Sequence, residues 1–333
     1  ENELPWDQPV PEELWSQVVE YCVNDVNGTE AVFEDRYPDY VARQILAELS
    51  GLSINDTTQR HTARIMFGKD RNPQASFVYA DLAEEFPGYT FDPSRKPASD
   101  YMGEDPSEGG FVYEERGMYE NVEVYDIASM HPTSIVQLNA FGQYTPNFKD
   151  LLDARIAIKR GNFEEARGML HGKLTPYLKD ETAADQLAYA LKIVINIVYG
   201  LTSAKFDNPF RDMRNKDNIV AKRGALFMIK LKNEVQQRGG QVVHIKTDSI
   251  KVVNPTAELK QFIWEFGAKY GYEFEHEATY DKFCLIDKAQ YIARYGWAAK
   301  EKLIGKWDAT GAAFQHPYVY KTLFTGEPIE WDD

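Results

Sequence analysis

Cysteines and long apolar runs are scarce in this sequence of 333 residues. Its two cysteines, Cys22 and Cys284, lie far apart and are flanked by apolar residues, so we expect buried, reduced thiols rather than a disulfide or a metal site. No apolar run approaches the roughly 20 residues that span a bilayer, and the N-terminus shows no secretory signal pattern. These absences argue against a disulfide-stapled or membrane-spanning fold and predict a cytoplasmic protein.

Positive charge is also in short supply. The chain has 37 Lys and Arg against 52 Asp and Glu, a formal net charge of −15 that argues at first against a nucleic-acid binder. The charge is unevenly distributed, however, because residues 1–108 hold 22 acidic and 8 basic residues, whereas residues 149–233 hold 16 basic and 10 acidic. The basic stretch could bind a polyanion, although solvated helix faces would give the same pattern.

Size and periodicity predict a globular protein with at least two lobes and a large core, since 43% of the residues are hydrophobic. Helices are predicted over Glu12–Phe33, Thr58–Phe67, most of 148–203 and Asp217–Arg238. Strands are predicted between 109 and 135, at Gln241–Ile245 and Ile250–Val253, and near Phe283–Ala293 and Gly305–Trp307. Residues 46–108 are dense in turn formers and, around the Thr58–Phe67 helix, are expected to connect two parts of the chain.

Two aspartates stand at the ends of predicted strands. Asp126 follows the alternating run Val122–Tyr125 and precedes a turn before Pro132, which suits the first position of a helix. Asp248 lies between two β-branched runs and is expected at the tip of a hairpin. Either residue alone is typical of an ordinary turn. Together, carboxylates on neighbouring strand tips could hold two Mg²⁺ ions and clamp both oxygens of a phosphoryl transfer.

Polar side chains at helical spacing could complement the carboxylates. They form two sets: Lys192, Asn196 and Tyr199 at i, i+4 and i+7, with Gly200 at the end of that face, and Arg155 with Lys159 at i, i+4. Lys192 interrupts an apolar run and therefore needs a partner, whereas Asn196 and Tyr199 could equally be satisfied core groups. Two cationic helix faces could converge on a triphosphate.

In order along the chain, these segments resemble the motifs of the family B (alpha-like) DNA polymerases, in a bacteriophage-type version. The first motif, Asp-x-x-Ser-Leu-Tyr-Pro-Ser, stands here as Asp126, Ser129, Met130, His131, Pro132 and Thr133. The second, Lys-x-x-x-Asn-Ser-x-Tyr-Gly, stands as Lys192, Asn196, Ile197, Tyr199 and Gly200, and the third, Asp-Thr-Asp-Ser, as Lys246, Thr247, Asp248 and Ser249. Glu108-Gly109-Gly110 is similar to the family's Gly-Gly element, and Asp287–Tyr291 to its primer-side strand with Lys and Tyr. Tyr21 and Asp25 match the Tyr-x-x-x-Asp signature of its last exonuclease motif.

The resemblance implies an α+β fold: a polymerase palm, which is an antiparallel sheet with helices, with helical fingers, a partial exonuclease remnant and a minimal thumb. The implied boundaries are 1–45 for the remnant of the 3′–5′ exonuclease domain, 46–108 for a connecting region, 109–147 and 204–295 for the palm, 148–203 for the fingers and 296–333 for the start of the thumb.

The resemblance also implies a function, a template-directed DNA polymerase that adds dNTPs to a primer 3′ end during phage DNA replication in the cytoplasm of a bacterial host cell. Asp126 and Asp248 would be catalytic and, with Ile127, would hold two Mg²⁺ ions, for which Mn²⁺ can substitute. Nucleotide contacts are expected from Ser129, Met130, His131, Arg155, Lys159, Lys192, Asn196 and Tyr199. Contacts to primer–template DNA are expected from Gly109, Gly110, Gly200, Thr247, Lys288 and Tyr291. No membrane partner is expected, and the sequence identifies no replication accessory protein.

Three departures from the family pattern leave alternatives open. Lys246 replaces the first Asp of the third motif, His131 replaces the Tyr that screens against a ribose 2′-hydroxyl, and Ile197 replaces a Ser. Lys246 favours one rival, a non-catalytic DNA-binding module that keeps a polymerase fold with a decayed site. A second rival, a nuclease, rests on Tyr21 and Asp25 but lacks the upstream acidic residues that two metals need.

Overall fold

The computed structural model describes residues 9–314. Within them the chain mixes helices with antiparallel strands, in agreement with the expected α+β class, and divides into two compact units. The first unit takes the described residues up to Lys69 together with Asp150–Ile197, and the second takes Asp70–Lys149 and those from Val198 onward. The division into palm, fingers and thumb stays a prediction, and its outermost parts, 1–8 and 315–333, lie outside the described residues.

The helices agree in part with the predicted pattern. In chain order they are α1 (Trp15–Asp35), α2 (Tyr37–Ser50), α3 (Thr58–Phe67), α4 (Leu82–Glu85), α5 (Met130–Gln137), α6 (Thr145–Lys159), α7 (Phe163–Gly168), α8 (Glu181–Ser203), α9 (Ile219–Gln237) and α10 (Ala257–Lys269). α3 has the predicted bounds, and the predicted interruptions near Gly161 and Gly172 separate α6, α7 and α8. Among residues 9–314, no helix is both long and apolar enough to cross a bilayer.

Helix ends follow from local chemistry. The Thr57 hydroxyl accepts a hydrogen bond from the Arg60 backbone N–H at the start of α3, and Thr256 caps α10 in the same way. α9 ends at the Gly239-Gly240 pair, where Gly239 adopts a φ of +81° that a side chain would strain. These signals are readable in the sequence because each involves residues within one helical turn.

The strands are β1 (Thr90–Phe91), β2 (Ser99–Asp100), β3 (Val112–Glu114), β4 (Gly117–Tyr119), β5 (Val122–Ile127), β6 (Gln241–Lys246), β7 (Ser249–Val253), β8 (Phe274–Asp287), β9 (Gln290–Ala298) and β10 (Trp307–Thr310). β1 and β2 pair with each other. The others form one sheet in the order β10-β9-β8-β5-β7-β6-β3, with β4 also paired to β8. All of these pairings are antiparallel. β5 lies in the middle of the sheet, paired with β7 on one side and β8 on the other.

The second unit buries its core around this sheet. The core cluster consists of Val122, Val124, Val243, Ala278, Tyr280, Phe283, Leu285, Ala293 and Ala298. α9 is buried along most of its length and contacts α5, α10 and β6. Gly224 permits the close approach of α5, since a Cβ there would lie 2.7 Å from the Met130 Cε atom. α5 and α9 thereby fix the segment that follows Asp126.

Some sequence-based expectations were wrong. α2, α4 and α10 were not predicted, and residues 130–135 lie in α5 rather than in the predicted strands. β8 begins at Phe274, well before the predicted strand near Phe283. Pro132 is the third residue of α5 rather than the first. Cys22 is exposed instead of buried, because α1 buries none of its residues, while both cysteines are free as expected.

Candidate active site

Asp126 and Asp248 lie at the same edge of the sheet. Asp126 is the penultimate residue of β5 and pairs with Ser249, the first residue of β7, and Asp248 immediately precedes that residue. The Ile127 backbone N–H donates a hydrogen bond to the Asp248 carbonyl oxygen at 2.9 Å. The expected arrangement of two carboxylates at neighbouring strand ends, one of them at a hairpin tip, is therefore present.

A residue in left-handed conformation lies close to each of the two aspartates. Thr247, in the turn between β6 and β7, has a φ of +56°, and Ser129, just before α5, has a φ of +58°. The Thr247 backbone N–H donates to the Phe111 carbonyl oxygen at 3.0 Å. Left-handed backbone is unfavourable for residues other than glycine and asparagine, and a β-branched Thr is a clear outlier, so the surrounding contacts must hold the turn in place.

The two carboxylates make an electrostatically unfavourable pair. Burial, and then the Asp248 charge, raise the pKa of Asp126 to about 7, and burial also raises the pKa of Asp248. Glu277 and Glu275, on the adjacent strand β8, add to the shift of Asp126. A site whose carboxylates resist ionisation gains most from a bound cation, and oxygen ligands suit a hard ion such as Mg²⁺.

The donor set for a metal is small. Residues 9–314 contain no group of three or more His, Cys, Asp or Glu side chains that could hold a metal ion. The two aspartates, with main-chain oxygens such as that of Ile127, fit ions that complete their shells with water and substrate phosphate oxygens, as Mg²⁺ commonly does. The residues therefore suit Mg²⁺, with the remaining ligands supplied from outside the protein.

A buried lysine below the carboxylates was missed by sequence reasoning. Lys251 is 3% exposed and pairs across the sheet with Val124 and His244. Burial lowers the pKa of Lys251 to about 8, although the nearby carboxylates Glu277 and Asp126 act in the opposite sense. It supplies positive charge to the carboxylate cluster. Its only sequence signal is a single charge within the apolar run from Ile250 to Val253.

The side chains of His131 and Tyr199 stack on each other in the second unit. Their ring centroids are 4.1 Å apart and the planes are inclined by 17°. The His131 Nε2 atom is buried and has no hydrogen-bond partner among the described residues. Burial lowers the pKa of His131 to about 4, so the ring is neutral at pH 7. A neutral, buried ring packed on Tyr199 speaks against acid–base chemistry by His131.

The other residues of the first motif lie nearby in the chain. Ser129 is half-buried at the left-handed position before α5. Met130 is buried, with its side chain against Gly224 of α9, and its contact with a nucleotide stays a prediction.

The predicted triphosphate residues fall on the expected helices. Arg155 and Lys159 lie on α6, and Lys192, Asn196, Tyr199 and Gly200 lie on α8. Burial lowers the pKa of the half-buried Arg155, whereas Lys159, Lys192 and Asn196 are exposed. Arg155, Lys159, Lys192 and Asn196 belong to the first unit, while Tyr199 and Gly200 belong to the second. Convergence of these side chains on one phosphate group stays a prediction.

The predicted DNA-contact residues occupy different settings. Gly109 and Gly200 are exposed, and Gly110 is buried against the side chain of Thr247. Lys288 lies in the turn between β8 and β9 rather than on a strand, and its side chain is exposed. The Lys288 carbonyl oxygen accepts a hydrogen bond from the His244 Nε2 at 3.1 Å.

Tyr291 is half-buried and packs on the core, with its ring 5.3 Å from that of Phe283. The exonuclease-like pair Tyr21 and Asp25 is exposed on α1. Asp25 raises the pKa of Tyr21, which is the relationship of two surface side chains one helical turn apart.

A polar cavity of about 650 Å³ beside Tyr199 was also missed by sequence reasoning. Its cationic lining residues are Lys205, Arg211, Lys216 and Lys222, and its other polar lining includes Glu108, Thr202, Ser203, Asn215 and Asn218. The Asn218 Oδ1 atom is buried without a hydrogen-bond partner in the described part of the chain. The net positive charge of residues 149–233 was the available signal, but it did not indicate which cations share a cavity.

The sequence matches no protein-family model and no curated protein. One solved structure that the chain matches is the family B DNA polymerase from the hyperthermophilic archaeon Pyrobaculum calidifontis, at 15% identity and a TM-score of 0.46. The match covers 90% of this chain and 39% of that polymerase. The chain thus spans about two fifths of that protein's length.

Proposed function

We propose that this chain is a template-directed DNA polymerase of the family B type, adding dNTPs to a primer 3′ end. The observation that carries the proposal is the placement of Asp126 and Asp248 at adjacent strand ends, with the pKa of each raised above its ordinary value. Such a pair is costly to the fold, and a two-metal phosphoryl transfer gives it a use.

In the proposed reaction, Asp126 and Asp248 hold the cations and Ile127 contributes its carbonyl oxygen. Bound Mg²⁺ ions supply activation of the primer 3′-hydroxyl and neutralisation of the departing pyrophosphate. Lys251 lies three residues beyond Asp248 in the chain and limits the repulsion among the carboxylates before any cation binds. Positioning and charge neutralisation, rather than proton transfer by His131, are the contributions of the protein.

The incoming nucleotide is proposed to lie against the wall of His131 and Tyr199. Arg155, Lys159 and Lys192 would neutralise its triphosphate, the Arg as a planar fork and the Lys residues as point charges. Asn196, Ser129 and Met130 are further candidates for nucleotide contacts, as the resemblance implies. The stacked pair His131 and Tyr199 supports this part of the proposal. Two packed rings make a rigid surface that can select between sugars by size.

DNA is proposed to bind on the second unit as well. The cavity beside Tyr199 combines cations with an aromatic ring and exposed glycine backbone at Gly109, which are the elements that hold a single strand by phosphate contact and stacking. It would take the template strand, and Gly200 and Thr247 are further candidates for DNA contacts, as the resemblance implies. Lys288 and Tyr291 would contact the primer side. Phage DNA replication is the proposed setting.

The alternative is a DNA-binding module with a polymerase fold and no catalysis. Lys246 favours it, because this exposed cation pairs with Ser249 next to Asp248, where the family carries a carboxylate. Primer extension in Mg²⁺ by the wild type, and its loss in Asp248→Ala, separates the two functions. A protein that binds primer–template DNA and extends nothing would be the non-catalytic module.

A further inference from the structure

Gly110 lies directly against the turn that carries Asp248. It is buried, with a φ of +143°, and a Cβ at this position would lie 2.9 Å from the Thr247 Cγ2 atom, 3.1 Å from its Oγ1 and 3.3 Å from its Cβ. Contacts under 3.0 Å between carbon atoms force a displacement, because well-packed interiors have little free space. Any side chain at position 110 must therefore move either its own segment or Thr247.

Thr247 cannot turn its side chain out of the way. Two of the three staggered positions on its Cβ face Gly110 and are filled by Cγ2 and Oγ1. Every rotamer of a threonine leaves at least one of these two positions occupied. The displacement therefore passes to the backbone of the turn, where Thr247 is already held in a left-handed conformation and Asp248 is the next residue.

The segment that includes Gly110 is itself anchored on both sides. The Ser107 hydroxyl donates to the Gly110 carbonyl oxygen at 2.6 Å, and the Thr247 backbone N–H donates to the Phe111 carbonyl oxygen at 3.0 Å. The Lys222 ammonium donates to the Ser107 carbonyl oxygen, and the Asn218 amide donates to that of Glu108 at 3.2 Å. α9 thus holds residues 107–111 in place behind the Asp248 turn.

We infer that Gly110 is a positioning residue that sets the distance between Asp248 and Asp126, acting through Thr247 rather than through contact with DNA. The inference rests on the proposed function of that carboxylate pair. Because Gly110 is packed against protein on its Cα side, its missing side chain serves the turn, whereas the exposed Gly109 has open space around its Cα. The two neighbouring glycines would then have different roles.

The test uses Gly110→Ala in the full chain, with Gly109→Ala as the matched control, since a Cβ at Gly109 meets no atom within 4 Å. Gly110→Ala is expected to lower kcat by about 10- to 100-fold, as for a misplaced catalytic group, while the Kd for primer–template DNA stays unchanged. It is also expected to lower Tm and weaken Mn²⁺ binding measured by electron paramagnetic resonance without DNA. Gly109→Ala should leave Tm and Mn²⁺ binding at wild-type values.

Rescue at position 247 decides whether the effect passes through the turn. In the Gly110→Ala background, Thr247→Ser has one γ atom that can rotate away and should restore part of kcat, Tm and Mn²⁺ affinity. Thr247→Gly should restore more of the Tm, because it removes the clash and suits the left-handed φ. Each double variant is compared with its own Thr247 single variant, so that the coupling between the two positions is isolated.

Three outcomes would overturn the inference: wild-type kcat and Tm in Gly110→Ala, a loss confined to DNA affinity, or additive effects with no rescue. If Gly110→Ala does not fold, Ser107→Ala loosens the same segment without adding atoms and should lower kcat several-fold at unchanged DNA affinity; unchanged kcat there also overturns it. A wild type that extends no primer would defeat the proposed function alone. The non-additive effects of the position 110 and 247 variants on Tm and on Mn²⁺ binding would still show whether Gly110 acts through Thr247.

Discussion

The ring of His131 is stacked on the ring of Tyr199, with centroids 4.1 Å apart. One comes from the segment after Asp126 and the other from the last turns of α8. An imidazole is shorter than the phenol that family B polymerases carry in the corresponding motif, so under the proposed function the wall facing a ribose 2′ carbon would stand further back. The buried, unpartnered Nε2 of His131 means that this wall is held by packing rather than by a hydrogen bond.

Sugar selection should therefore depend on the size of residue 131. His131→Tyr is expected to sharpen discrimination against rNTPs and His131→Ala to relax it, each by about 1–3 kcal/mol, the range for a small steric difference in a pocket. The measurement is kcat/KM for a matched dNTP and rNTP in the three proteins. If both substitutions lower the two values in proportion, His131 only packs the core and has no part in sugar selection.

Without metal ions, the free energy of unfolding should depend on pH because the pKa of Asp126 is raised in the fold. Its pKa in the fold is about 7 against an ordinary 3.8, so the ionised form is penalised and the free energy of unfolding falls as the pH rises from about 4 through 7. Asp126→Asn cannot ionise, so its free energy of unfolding should rise relative to that of the wild type over this pH interval. The expected rise is about 1–3 kcal/mol, a value discounted for partial exposure of the group.

Urea unfolding in EDTA at pH 4, 6 and 8 measures this difference. Asp100→Asn, at the exposed end of β2 in the other sheet, is measured beside it as a carboxylate-to-amide change outside the site. If the free energies of unfolding of Asp126→Asn and wild type differ by the same amount at every pH, ionisation of Asp126 is not penalised in the fold.

The cavity beside Tyr199 should bind phosphate groups of the template. Replacing the two exposed cations Lys205 and Lys216 with Gln is expected to weaken binding of a template with a single-stranded overhang. The slope of log K against log salt should shrink by about 0.7 for each phosphate that is no longer neutralised. Lys69→Gln, an exposed lysine outside the cavity, should leave the slope unchanged. Equal slopes in wild type and double variant would place the template elsewhere.

The chain should have no 3′–5′ exonuclease activity. Tyr21 and Asp25 lie exposed on α1, and neither belongs to a group of three or more metal-ligating side chains among residues 9–314. A nuclease that uses two metal ions needs further carboxylates beside them. Labelled single-stranded DNA should stay intact with Mg²⁺ or Mn²⁺. Shortening of the strand that follows the protein through purification and is lost in Asp25→Ala would contradict this expectation.

The sequence could predict the position of each carboxylate because the signals are local. Strand alternation before Asp126 and turn formers around Asp248 involve only neighbouring residues, as do the glycines that end α9. Their pairing followed from resemblance to known motifs, and the strand register between Asp126 and Ser249 agrees with it. Helices of the predicted fingers were likewise recoverable from apolar periodicity.

Features that depend on register or on distant packing could not be predicted in the same way. Lys251 is buried because β7 lies between β5 and β6, and nothing in its own run reveals that placement. The exposure of Cys22 reflects a helix that buries no residue, although its apolar flanks predicted the opposite. The packing of Gly110 against Thr247 joins distant parts of the chain, and a glycine pair alone does not show which member is enclosed.

The central claim is that Asp126 and Asp248 form a metal-dependent nucleotide-adding site. The most direct test is extension of a labelled primer on a DNA template in Mg²⁺ by wild type, Asp248→Ala and the strand-end control Asp100→Ala, each checked for folding by circular dichroism. We expect extension by the wild type and the control and a loss of at least about 10³-fold in Asp248→Ala, in line with removal of a group that stabilises the transition state. Extension by folded Asp248→Ala at a rate near that of the wild type would contradict the account.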